Sequence, residues 1–198
     1  MINLYEVSQT WAADGEWRIA PAGLPWIGAG TRIRVGAGAR VGEEASIGAG
    51  ASIGAGARVG EEASIGAWAR VGEGASIGAG ASIGAGASIG AGASIGAGAR
   101  VGEGASIGAG ASIGAGARVG EGARVGPNET FVQDLGVGFA NYRRTLCESK
   151  EGEPRFNAGC QHHSFESARK RWHDRPDTLA CIDYAEVVYR LWKEKQNK

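Results

Sequence analysis

From Val35 to Val125 an aliphatic residue stands at every sixth position: Val35, Val41, Ile47, Ile53 and so on through Ile113, Val119 and Val125. Each is followed by Gly, and Ala stands four places after each from Ala39 to Ala123. A period of six is neither that of a helix nor that of a lone strand. It predicts a solenoid of short strands, in which each turn of chain stacks on the one before. In the unit Ile-Gly-Ala-Gly-Ala-Ser the branched residue suits an extended segment. The alanine two residues before it shares its side of the strand. Both glycines are expected to take positive φ and turn the chain. A hexad of this kind buries its apolar side only against neighbouring coils.

The repeated Ile47-Gly48-Ala49-Gly50-Ala51-Ser52 resembles the hexapeptide repeats of the bacterial transferase family, and it covers about half of the chain. That resemblance implies a mainly β fold, a left-handed parallel β-helix with three hexads per triangular coil. Charge spacing agrees with an 18-residue coil: Arg40 and Arg58, Arg100 and Arg118, Glu43 and Glu61, and Glu103 and Glu121 are each separated by that interval. Phe131 and Val137 continue the frame, giving an expectation of about six coils and a rod on the order of 30 Å long. The Arg and Glu columns read as solubility and register devices, because exposed pairs contribute little.

The flanks lack the period and divide the chain into three parts. Residues 1–26 form an N-terminal cap, with strands at Leu4–Ser8 and Trp17–Ile19 and large apolar surface from Trp11, Trp17 and Trp26. Residues 27–137 form the β-helix. Residues 138–198 form a small ββαα module: a hairpin turning at 150–153, a helix capped by Ser164, and a second helix from about Asp177 to Lys193. Phe131, Leu135 and Phe139 are expected to plug the open end of the helix. Glu129 stands where the frame calls for an inward alanine. Trp68 occupies a corner otherwise held mostly by Gly, and its outward position makes it a candidate contact residue, as is Trp172 in the module.

Composition narrows the function classes. The 198 residues carry zero formal net charge, which argues against a general nucleic-acid or anionic-membrane binder. No apolar run approaches membrane-spanning length, and the N-terminus lacks a secretory pattern. Cytoplasmic residence with reduced thiols is the resulting expectation for Cys147, Cys160 and Cys181.

The resemblance implies acyl transfer from acetyl-CoA by a histidine base between subunits of a trimer, or zinc chemistry of the γ-carbonic-anhydrase kind. The solenoid contains no His and no interrupting loop, so it offers no base titrating near neutrality. All three histidines lie in the module. His162 and His163 are the weak catalytic candidates, and Cys160-Gln161-His162-His163 has no standard metal spacing, so no metal site is expected. Serine ladders such as Ser76, Ser94 and Ser112 lack the paired Thr rows that ice-binding solenoids resemble. The expectation is therefore a non-catalytic, self-associating scaffold, with a trimer favoured and a protein partner reached through residues 138–198. It needs no cofactor. The alternatives are an acetyl-CoA-dependent acyltransferase and, less favoured, a metal-dependent enzyme.

Overall fold

The structure is a computed structural model and describes residues 2–3, 9–14, 17–19, 27, 32–137, 143–158 and 161–197. Its body is a β-solenoid. After strand β4 (Arg32–Val35) come fifteen two-residue strands, β5 (Arg40–Val41) to β19 (Arg124–Val125), one per hexad. They stack in parallel at an 18-residue interval into three sheets: Ser76 pairs with Ser94, Ser82 with Arg100, and Ser88 with Ser106. Every strand from β5 to β19 except β7 exposes its Ser or Arg and buries its Ile or Val. The interior is a single column of these aliphatics and the paired alanines, with Ile65, Ile83 and Ile113 each 1% exposed.

The two glycines of a hexad have different reasons to be glycine, which corrects the expectation that both turn the chain. Gly80 is the turning residue, with φ +64° and no atom within 4 Å of where a Cβ would stand. Gly78 has an ordinary φ, but a Cβ there would lie 2.5 Å from the Ala97 backbone nitrogen of the next coil. Backbone ladders explain this crowding, since Gly78 N–H donates to Ile95 O at 2.7 Å and Gly80 N–H to Glu61 O at 2.8 Å. At the turning position Glu44, Glu62, Trp68 and Asn128 replace glycine and still hold φ of 55–60°. Trp68 is 66% exposed, and its ring lies across Gly50 one coil earlier.

At the N-terminal side, β1 (Ile2–Asn3) runs antiparallel to β5, and the hairpin of β2 (Ala12–Asp14) and β3 (Trp17–Ile19) pairs antiparallel with β4. Trp11, Ile27 and Ile33 join the solenoid core. The strand expected at Leu4–Ser8, like Trp26, lies outside the described residues.

The frame ends sooner than its period suggests. Phe131 pairs with Ile113 and takes its place in the core, but Val137 does not start another face. Residues Thr130–Val137 run on as one strand, β20, and Val137 pairs antiparallel with Arg143. No glycine stands between Phe131 and Leu135 to turn the corner. The solenoid therefore has about five turns rather than six.

Beyond it, β20, β21 (Arg143–Glu148), β22 (Pro154–Ala158) and β23 (Gln161–His163) form an antiparallel extension of one solenoid sheet. Helix α1 (Phe165–Arg171) is capped by the Ser164 side chain, which accepts from Ser167 N–H, and α2 (Pro176–Gln196) starts on a proline. Leu146, Phe156, Phe165, Ala168, Ile182 and Ala185 form a second core, separate from the first. Leu135 packs against that second core, so it does not plug the solenoid. Cys147 does so instead, as part of the solenoid core. Phe139 lies outside the described residues.

Candidate functional site

A parallel stack of coils leaves backbone amides without partners at its last turn, just as a helix end does, and buried amides need partners. The third face continues into β20. On the other two faces a carboxylate accepts the orphan hydrogen. Gly120 N–H donates to Asp134 Oδ2 at 2.9 Å, and the buried Gly126 N–H donates to Glu129 Oε2 at 2.8 Å. Hydrogen bonds to ionised acceptors of this kind are among the stronger ones.

A buried polar cluster grows from Glu129. The Asn157 Nδ2 group donates to Glu129 Oε2 at 3.1 Å and points at Cys147 Sγ at 3.4 Å. Cys147 Sγ lies 3.9 Å from Thr145 Oγ1, which donates to Arg124 O at 3.1 Å. His162 Nδ1 is 2.9 Å from Asn157 Oδ1 and 3.6 Å from Glu129 Oε1. Because the Asn157 amino group faces Glu129, its Oδ1 is left to accept, so His162 donates to it from Nδ1.

The cluster joins a cysteine, a histidine and an asparagine, but in the wrong order of exposure for nucleophilic catalysis. Cys147 is wholly buried. Burial, followed by the nearby Glu129 charge, pushes its thiol well above the usual range, whereas a nucleophilic thiol is a depressed and accessible one. His162 is the member that reaches solvent, with its side chain 39% exposed. Its neighbour His163 lies outside the cluster. The His163 ring meets Trp172 edge-on at 4.9 Å, and burial, then Arg171 and His162, hold it below the ordinary histidine range. Trp172 also packs edge-on against Phe156 at 5.9 Å. Sequence reasoning singled out His162 and noted Glu129 as a break in the alanine row. It missed Asn157, which no repeat or motif marks. A carboxylate at an inward alanine position was the available signal, since such a group must find donors.

Among the described residues no three His, Cys, Asp or Glu side chains are grouped as metal ligands. None of the described helices is long and apolar enough to cross a membrane.

The family model for the bacterial transferase hexapeptide, six repeats, matches residues 38–72 and 69–103, the part of the chain with the regular three-sheet stack. The body of this protein is a hexapeptide-repeat β-helix. No curated protein matches the chain. Similar solved structures include a variant perosamine N-acetyltransferase from Caulobacter crescentus in complex with CoA and GDP-perosamine, 29% identical over 50% of this chain and 46% of that one, with a TM-score of 0.46. A hexapeptide transferase family protein from Anaplasma phagocytophilum is 21% identical over 84% of this chain and 94% of that one, with a TM-score of 0.26. The chain spans about half the length of the Caulobacter protein.

Within the hexapeptide-repeat β-helix the walls display Ser, Arg, Glu and backbone. The module carries the remaining exposed large apolar side chains among the described residues: Tyr184, Val187 and Leu191, 45–53% exposed. All three stand on α2. That helix is apolar on two faces. Thr178, Ile182 and Ala185 are buried on one, while Ala180, Tyr184, Val187 and Leu191 are exposed on the other.

Proposed function

We propose that this protein is a non-catalytic, self-associating scaffold: a rigid β-helix that carries its C-terminal module as an interaction element. The observation that carries this reading is the fate of the polar groups at the end of the β-helix. Glu129 and Asp134 are engaged by orphan backbone amides, Asn157 bridges Glu129 to His162, and Cys147 is sealed in the core. The cluster is thus a cap that satisfies the last coil. The stretches of Gly, Ala and Ser between the Arg and Glu columns allow close approach of further copies, and a homotrimer packed wall to wall is the assembly we infer. Free Cys147 and Cys181 suit a reducing cytoplasm.

A second reading has one observation in its favour. The contact with Asn157 Oδ1 places a proton on His162 Nδ1, so the neutral ring has Nε2 as acceptor, the form required of a general base, and the matching family model is described as a transferase repeat. Under that reading the substrate is an acyl-CoA, and His162 takes the proton of the acceptor nucleophile.

Calorimetric titration with acetyl-CoA separates the two, alongside light scattering. The scaffold reading expects a mass well above the 20.2 kDa of one chain and no saturable heat. Micromolar binding that disappears in His162→Ala would overturn it in favour of acyl transfer.

A further inference from the structure

The exposed stripe on α2 has a regular spacing: Ala180, Tyr184, Val187 and Leu191 follow steps of four, three and four, the a/d pattern of a two-helix seam. It extends about 16 Å along the helix, on the side opposite Ile182 and Ala185. We propose that this face docks against the same face of a second copy of this chain, antiparallel, across a two-fold axis. The inference deepens the self-association proposed above and rests on it.

Size and charge on the helix select that occupant and that direction. In the antiparallel register, Ala180 faces Leu191 of the partner subunit and Tyr184 faces Val187 of the partner subunit. Each layer then combines a larger with a smaller side chain, and the two-fold repeats the match. The flanking position on one side is Asp183 and, one heptad later, Arg190, both exposed. Antiparallel helices bring these together, so Asp183 faces the partner's Arg190 twice. A parallel pair would set Tyr184 on its own copy and bring Arg190 against Lys195 of the partner subunit, a like-charge contact. Asp183 also accepts from Arg169 at 2.7 Å within the chain, which holds its carboxylate at the edge of the stripe. A seam of three turns is at the small end of stable interfaces, so the pairing is a weak one, populated at tens to hundreds of micromolar. It doubles whatever assembly the β-helix walls form.

Light scattering at about 200 μM tests this on the full chain. Leu191→Glu is expected to halve the mass, with the circular dichroism and melting midpoint unchanged. Arg190→Glu sets like charges against each other and is expected to weaken pairing roughly tenfold. Asp183→Arg combined with Arg190→Glu is expected to restore it, which no purely local role of either residue would do. If the mass of Leu191→Glu equals that of the wild-type assembly, α2 pairing is wrong while wall association stands. A wild-type mass of one chain refutes both. Halving without charge-swap rescue overturns the antiparallel register.

Discussion

In the β-helix a backbone amide finds its partner through the backbone alone, coil to coil, and side chains have only to fill the interior or face water. At the junction with the module the same amides are met by side chains: Asp134 for Gly120 and Glu129 for Gly126. The first region is redundant, each coil repeating the contacts of its neighbours, so its stability is a sum of similar interfaces. The second is built once. Its carboxylates, Asn157 and the buried Arg144 each hold a particular partner. Arg144 donates to Thr178 Oγ1 at 2.9 Å and Asp177 Oδ2 at 3.0 Å, fixing the start of α2. Tyr189 donates to Gly152 O at 2.7 Å and to Glu148, which also pairs with Lys193 at 2.9 Å. Repetition makes the rod; singular contacts make the end of it.

The contrast can be broken at several points. The largest effect is expected from Gly78→Ala, whose methyl meets the Ala97 backbone of the next coil; neither coil can move without spoiling a ladder, and about 3 kcal/mol is lost. Urea unfolding monitored by circular dichroism measures it. Next comes Glu129→Ala, which restores the repeat's own residue yet strands the Gly126 amide and the Asn157 amino group. The same assay should show a loss of about 2 kcal/mol. A gain in stability there would refute the cap. Gly80→Ala has room for its methyl and bears only the strain of a left-handed residue, about 1 kcal/mol. Should it equal Gly78→Ala, the division of labour between the two glycines is wrong.

The smallest effect is in acid. His163 titrates below its unfolded value of about 6.5 because it is partly buried and faces Arg171 and His162. Its contribution is complete above that pH and is lost as the pH falls through the lower folded value, because the unfolded chain takes up the proton first. Comparing wild type with His163→Asn between about pH 7 and pH 5 should show the variant losing less stability.

Most of the architecture was legible because one physical rule is written many times. Aliphatics spaced by six, with Gly after each, leave few alternatives once coils must stack. The rule failed where copies ran out. Val137 kept the spacing but had lost the glycine corners, and sheet pairing with Arg143 decided its place. Position also misled for Leu135, which packs against the module's own core of sheet and helix side chains rather than the solenoid interior. The two glycine roles could not be separated by sequence, since one is set by φ and the other by a neighbouring coil 18 residues on. Trp68 shows the reverse case: its outward position followed directly from the frame. Of the terminal cluster, Glu129 was visible as a misfit and Asn157 was not, because its partners Glu129, Cys147 and His162 lie 28, 10 and 5 residues away and only the fold brings them together.

Three faces per coil also give the rod a bearing. Inserting one hexad in the middle would rotate everything after it by a third of a revolution, carrying α2 to another side of the prism. Inserting three would leave its compass direction intact and move it about 4.8 Å farther out. Length and orientation of this molecule are thus separate dials, one counted in eighteens and the other in sixes.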